Sequence, residues 1–261
     1  MNILVLMRMV PDVVEELEIA PDGKGLDTEY LRMIVNESDD HALEQALILK
    51  ERRGGKVTVL ALDAPDVDDV LFSAVAKGAD RVLKIEGGDG GLTTRAAAGV
   101  FAKVIDSQSD LKSVDVVLTG VQAIDDLDAL VAPILSRRLG LPYLGIVTKV
   151  TLDESGKAVT AVREFSAGVR GEFEVPLPAV LGIQAAEKPP RYVPVAKVRA
   201  AMKSHKIESV GAPTTADAGL PLIEVMRMRK PEVSSHAQML DGAPEEISKK
   251  LAGIFTERGL L

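Results

Sequence analysis

Apolar positions along the chain fall into two kinds of run. Residues 2–7 (NILVLM), 57–62 (VTVLAL), 81–85 (RVLKI) and 114–119 (VDVVLT) are short and almost continuously apolar. Such runs predict strands covered on both faces, as in a parallel sheet. Between them the period lengthens. Across 39–50, Ala42, Leu43, Ala46, Leu47 and Leu49 form a stripe at helical spacing, with Glu44, Gln45 and Lys50 off it. Residues 66–77 predict a second helix, stopped at Lys77 and Gly78. Residues 93–108 predict a third, with Thr93 and Thr94 as caps. Strands alternating with helices imply right-handed crossovers, so the expected fold class is α/β, a doubly wound and mostly parallel sheet.

The pattern changes after residue 148. Asp153-Glu154-Ser155-Gly156 is a turn signal. The stretches AVTAVREF and GEFEVPLPAVLGI, on either side of Ala167-Gly168, read as strands of an antiparallel hairpin. From about residue 186 the chain is Pro-rich and basic, and 208–241 show little periodicity. A last helix is predicted over 244–257, with Glu245 and Glu246 in its first turn. The expected organisation is an α/β core over 1–200 and an extended C-terminal arm over 201–261. A long irregular stretch is unusual inside a compact domain. An arm lying on another subunit explains it, with Leu222, Ile223 and Val225 buried there.

Composition narrows the function classes. A net charge of −8 and 3% aromatic residues offer neither electrostatic attraction nor stacking platforms to nucleic acid. No apolar run reaches the roughly 18–20 residues of a membrane span, so the protein is not expected to be membrane-embedded. The apolar start is read as a buried strand, not a signal peptide. Zero cysteines leave no disulfide framework or thiolate chemistry, and a reducing, cytoplasmic location fits. His41, His205 and His236 have no second ligand at metal spacing, so no metal site is expected. The glycine run 87–91 lacks dinucleotide spacing and is read as a flexible loop. No catalytic constellation is present, and no catalytic residue is assigned.

One segment stands out, DVVLTGVQAIDDLDALVAPILSRRLGLP over 115–142. A buried strand ends at Thr119-Gly120, a polar loop follows, and a helix begins near 128–133. Ligands of open α/β sheets sit beyond the carboxyl ends of strands. A helix N-terminus there offers free N–H groups to an anion, and Gly120 lets backbone approach closely. The same residues also fit an ordinary strand–helix loop in which Asp125, Asp126 or Asp128 caps the helix. Both readings stand on the residues alone.

The segment resembles the adenine-nucleotide loop of the electron transfer flavoprotein beta-subunit family, G-[KVR]-Q-x-x-D-x-D. Other matches follow in that family's order. Arg8-Met9-Val10-Pro11-Asp12 is similar to its K-R-V-x-D start. Asn36-Glu37-Ser38-Asp39-Asp40 with Ala42-Leu43-Glu44-Gln45-Ala46 is similar to N-x-x-D/E-x-x-A-x-E-x-A. Ala76-Lys77-Gly78-Ala79-Asp80-Arg81 matches A-x-G-A-D-R. Arg163-Glu164, Leu177-Pro178-Ala179-Val180 and Pro190-Arg191-Tyr192 match R-E, L-P-A-V and P-R-Y. The likeness covers nearly the whole chain, more thinly after residue 205.

The resemblance implies a heterodimer. An alpha-type subunit holds the redox-active FAD, and the beta-type chain is an electron carrier subunit without catalytic residues of its own. Electrons come from a dehydrogenase donor, such as an acyl-CoA dehydrogenase, and pass to a quinone reductase or other acceptor. The beta site holds AMP, or a second FAD in electron-bifurcating relatives, or is empty. By position, nucleotide contacts fall on Leu6, Asn36, Glu37, Ser38, Asp39 and Asp63, and on Gly120, Val121, Gln122, Ala123, Ile124, Asp125, Asp126, Asp128, Ala129, Leu130 and Val131. Arg163 and Glu164 are implied to lie near the partner's flavin. Val193, Pro194, Val195, Ala196, Lys197, Val198 and Arg199 are implied to form the loop that recognises the dehydrogenase.

The chain departs from the family where Ala129, Leu130 and Val131 replace Asn, Gln or Thr side chains, and where Val195 replaces a Leu anchor. Asp125-Asp126 stands where bifurcating relatives have Asp-Gly, whereas Val131-Ala132-Pro133 resembles their Val-Gly-Pro. Two other function classes stay open: a stand-alone adenine-nucleotide-binding regulator on the same fold, and a structural partner subunit without nucleotide.

Overall fold

The computed structural model describes residues 1–87, 92–126, 128–213, 223–231, 237 and 239–261. Strand β1 (Asn2–Met7) leads into a short ribbon, β2 (Met9–Pro11) and β3 (Met33–Val35), and then helix α1 (Glu37–Arg53). Next come β4 (Lys56–Leu62), α2 (Val67–Lys77), β5 (Arg81–Glu86), α3 (Thr94–Ser107), the one-turn α4 (Ser109–Lys112), β6 (Val116–Gly120) and α5 (Val131–Leu139). The second half contributes β7 (Tyr143–Leu152), β8 (Ala158–Glu164), β9 (Arg170–Pro176), β10 (Ala179–Ile183), α6 (Val195–Ser204), β11 (Glu208–Gly211) and α7 (Pro244–Glu257).

Among the described residues nine strands form one sheet, ordered β11-β5-β4-β1-β6-β10-β7-β8-β9. Pairing is parallel from β11 through β7 and antiparallel from β7 through β9. This is the mostly parallel α/β sheet that the alternating runs predict. The chain winds outward from β1 through β4 and β5, then returns to place β6 on the other side of β1. The strand order therefore reverses between β1 and β6, and a crevice opens there beyond the strands' carboxyl ends.

β1 explains why its run is continuously apolar. Ile3, Val5 and Met7 share one core cluster with Leu43 and Leu47 of α1 and Leu71 of α2. Leu4 and Leu6 share the other with Phe101 of α3 and Leu135 of α5. Both faces of the strand are covered from Ile3 to Met7, so none of those positions is left for a polar side chain.

Four features depart from the periodicity. Glu44 and Gln45, expected off the apolar stripe of α1, are buried, because the 184–191 segment covers the helix side that the sheet does not. The stretch 171–183 is not one hairpin arm. It divides at the cis peptide Leu177-Pro178, so that β9 pairs with β8 while β10 runs between β6 and β7. Residues 195–199 form the first turn of α6 instead of a loop. Residues 208–211, in the aperiodic stretch and beyond residue 200, form β11 at the sheet edge, where Arg81 pairs with Glu208 at 2.7 Å.

The described part of the arm crosses the 16–24 loop. Met228 N–H donates to the Gly23 carbonyl at 2.7 Å, and Lys230 pairs with Glu18 at 3.1 Å. Ile223 is exposed and Val225 half-buried; Leu222, His236 and residues 88–91 of the glycine run lie outside the described residues. Helix α7 buries none of its residues. No helix among the described residues is long and apolar enough to cross a membrane.

Candidate functional site

The crevice between β1 and β6 is closed by one carboxylate. Asp39, in the first turn of α1 and 4% exposed, accepts from the Arg8 N–H at 2.9 Å and the Gly120 N–H at 2.8 Å. It ties the ends of the two strands at the point of reversal to the N-terminus of α1. Burial pushes the Asp39 carboxyl above its ordinary value, and the Arg8 charge with these N–H donors offsets part of that rise. Gly120 serves this closure. A Cβ there would lie 2.2 Å from Ser38 Oγ and 2.3 Å from Asp39 Oδ1, so the close approach is to α1.

Asn36 and Ser38 hold the loop that leaves β6. Asn36 Nδ2 donates to the Gln122 carbonyl at 3.1 Å, and Ser38 Oγ donates to the same oxygen at 2.7 Å. Glu37 is exposed and Ala123 is buried. Gln122 Nε2 donates to the Asp126 carbonyl at 2.7 Å, closing the loop on itself. Val121 N–H donates to the Ile183 carbonyl of β10. Leu6 is packed in the core cluster that includes α3 and α5, and Asp63 follows β4, 3.8 Å from the Lys84 ammonium.

Asp126 is the electrostatic centre of the loop. Its carboxylate accepts from Arg8 at 3.0 Å and from Thr94 Oγ1, at the start of α3, at 3.0 Å. Burial works to raise it, but the donated hydrogen bonds and the Arg8 guanidinium outweigh burial and hold it below the ordinary value. Asp125 is raised by burial, and Asp128 by burial together with its contact to Asp126. None of the three aspartates caps α5, whose N-cap residue is Leu130 without a side-chain hydrogen bond. Asp128 instead accepts from the Leu130 N–H at 3.3 Å, with Ala129 between them at φ 53°. The first-turn N–H groups of Val131 and Ala132 therefore stand at a helix start that no side chain caps among the described residues.

Beside the loop lies an open cleft of about 720 Å³, bounded by Val10, Pro11, Val35, Ser38, His41 and Ile124. The hairpin residues expected near a partner's flavin sit on the antiparallel extension. Arg163 lies 5.1 Å from the Phe165 ring centroid, and its buried Nε has no hydrogen-bond partner among the described residues. Glu164 pairs with Arg170 at 3.0 Å. Of the expected recognition residues, Val198 packs inward at the level of buried Ala201, while Val195 is 63% exposed, Pro194, Ala196, Lys197 and Arg199 are exposed, and Val193 is half-buried.

Sequence reasoning missed a second polar cluster on α1. Glu44, whose side chain is 5% exposed, accepts from the Arg191 N–H at 3.0 Å and from its guanidinium at 2.8 and 2.9 Å. Arg191 also reaches Glu51 at 2.6 Å. The available signal is a charged residue between Leu43 and Ala46 that recurs within a stretch matched to a family pattern. Among the described residues no group of three or more His, Cys, Asp or Glu side chains is placed to hold a metal ion.

The pattern of the electron transfer flavoprotein domain matches residues 25–215. The chain is 30% identical to the electron transfer flavoprotein subunit beta of Methylophilus methylotrophus, over 98% of both chains. It is 36% identical to the subunit of that name from Clostridium acetobutylicum, over 76% of this chain and 74% of that one. It is 29% identical to subunit CarD of the caffeyl-CoA reductase-Etf complex of Acetobacterium woodii, over the full length of both.

The polar groups on α1 give two expected outcomes. Asp39→Ala leaves two buried N–H groups without an acceptor and is expected to cost ~3 kcal/mol of stability, read by equilibrium urea denaturation, with faster amide exchange at Gly120. Glu44 is pushed up by burial, but its bonds to Arg191, the Arg191 charge and Lys77 hold it below the ordinary glutamate value of about 4.3. A carboxylate lowered in the folded state stabilises above its unfolded pKa, and that contribution is lost as pH falls through the folded pKa. Glu44→Gln is therefore expected to flatten the loss of stability below about pH 4.5, measured as melting temperature against pH.

Proposed function

The chain belongs to the electron transfer flavoprotein family as a beta-type subunit, and on that premise we propose that it works in a heterodimer with an alpha-type subunit as an electron carrier. In this reading it binds AMP in the crevice between β1 and β6 and carries the docking face for a dehydrogenase donor. The observation that carries the nucleotide reading is the site at the reversal of strand order. There Asp39 clasps the ends of β1 and β6, and the loop leaving β6 runs into the uncapped start of α5.

The donor set fits a phosphate-bearing ligand. The Val131 and Ala132 N–H groups would meet the phosphate, replacing the polar side chains that Ala129 and Leu130 lack. Asp126 does not oppose an anion there, because Arg8 and Thr94 occupy its oxygens. The Gln122 and Ala123 backbone, held by Asn36 and Ser38, would flank the adenine or ribose. The flavin of the alpha subunit supplies the redox chemistry. This chain's residues position the nucleotide loop and present Arg163 and Glu164 on the hairpin toward the partner's flavin.

Helix α7 supports the heterodimer. Ile247, Leu251, Ile254 and Phe255 fall on one helical face, yet Leu251 is 39% and Phe255 43% exposed. An apolar face left partly exposed among the described residues suits docking, and the alpha subunit is the occupant proposed here. A second reading, with FAD in place of AMP, is supported by Val131-Ala132-Pro133, which resembles the Val-Gly-Pro of electron-bifurcating relatives.

Denaturing the purified heterodimer is expected to release one FAD and one AMP, identified by chromatography and absorbance. Two FAD would replace the first reading by the second, and FAD alone would mean that backbone donors at 131–132 do not suffice. Leu251→Asp with Phe255→Asp is expected to weaken the heterodimer at least about tenfold, measured by size-exclusion chromatography across a dilution series. Unchanged assembly would remove α7 from the interface.

A further inference from the structure

The segment joining β10 to α6 is strapped along helix α1. His41 Nδ1 accepts from the Ala186 N–H at 3.1 Å, and Gln45 Oε1 accepts from the Glu187 N–H at 3.4 Å. Arg52 makes a two-pronged pair with Glu187 at 2.8 and 3.0 Å. The strap ends at Arg191. Its backbone N–H and two of its guanidinium nitrogens go to Glu44, and the third goes to Glu51. A planar fork held by two carboxylates and its own N–H has one orientation available.

Beyond Arg191 the chain is exposed and the connection to α6 is short. Tyr192 is 85% and Val195 63% exposed, and only residues 192–194 separate the clamp from the first turn of α6. Pro189, Pro190 and Pro194 restrict the backbone on both sides, since each fixes φ and withdraws a donor. Helix α6 packs toward α2, with Val198 half-buried and Ala201, one turn further on, buried. The exposed start of α6, residues 195–197, thus lies between two attachments, Arg191 before it and the Val198–Ala201 face after it. Helix α1 is shared: its start carries Asn36, Ser38 and Asp39 to the nucleotide loop, and its middle carries Glu44 and Glu51 to Arg191.

We propose that Arg191 is a positioning residue for partner docking: its guanidinium, locked between Glu44 and Glu51, sets Tyr192 and the first turn of α6 in a fixed place on helix α1. The proposal rests on the reading that this turn meets the dehydrogenase donor. Arg191 touches neither donor nor flavin; it acts through the segment it holds.

The test uses the full heterodimer and a donor dehydrogenase that reduces the wild-type flavin. Arg191→Met is expected to raise amide exchange over 192–199 about tenfold while β1 and β6 exchange at the wild-type rate. KM for the heterodimer as acceptor should rise with kcat unchanged. Arg191→Lys, which keeps the charge but one donor group in place of a fork, is expected to recover part of both. Because Arg191→Met leaves Glu44 buried without a partner, the double variant Glu44→Gln, Arg191→Met serves as the clamp-free form without a buried charge, and it should show the same two changes. Unchanged exchange at 192–199, or a rise spread evenly over the sheet, overturns the proposal. Val195→Glu separates it from the docking reading. If Val195→Glu raises KM while the clamp-free form does not, Arg191 is not a positioning residue. If neither raises KM while exchange at 192–199 rises, the clamp stands and the docking reading fails.

Discussion

A buried carboxylate between two strand ends organises this molecule. Asp39 accepts N–H groups from Arg8, just past β1, and from Gly120, at the end of β6. Those strands are neighbours in the sheet but far apart in the chain, and the strand order reverses between them. A parallel sheet leaves N–H and C=O groups unpaired where adjacent strands part, and each must find a partner in the protein or in water. Supplying the acceptor from the first turn of α1 also fixes that helix against the crevice. The absence of a Cβ at Gly120 is what allows the approach.

From that fixed end, α1 serves as a polar beam inside an apolar fold. Asn36, Asp39, Glu44 and Gln45 are all buried, and each bonds to backbone or side chains of other segments. A buried charge is tolerated only when paired and hydrogen-bonded, and Glu44 meets that condition through Arg191. The helix thereby links the loop after β6 at one end to the segment leading into α6 further along. Its last turn, with Lys50, Arg52 and Arg53, suits the negative end of the helix dipole.

The loop after β6 balances its charges in a similar way. Three aspartates stand near the start of a helix where an anion would bind, and that is unfavourable unless their charge is offset. Arg8 and Thr94 occupy the oxygens of Asp126, while burial pushes the Asp125 carboxyl and, with Asp126 beside it, that of Asp128 above the ordinary value. The first-turn N–H groups of α5 keep their electrostatic advantage. The proposed anion site is compatible with an aspartate-rich loop because Arg8 and Thr94 already engage the Asp126 carboxylate.

Local pattern determined the strands and helices of the parallel half. The continuous apolar runs at 2–7, 57–62, 81–85 and 114–119 have a single solution, burial on both faces, and the family motifs in order pointed to the loop after Gly120. Tertiary structure alone decided what depends on a second surface. Glu44 and Gln45 fall off the apolar stripe because helical period reports one buried face, and only the 184–191 segment makes a second. The stretch 171–183 read as one hairpin arm because alternation does not say which neighbour a strand pairs with, and β10 found its partners far upstream, in β6 and β7. β11 is too short to have a period, and its place is set by the open edge of β5 and the Arg81 pair with Glu208. Sequence carries the local preference of each segment; which faces are covered, and by what, is a property of the assembled chain.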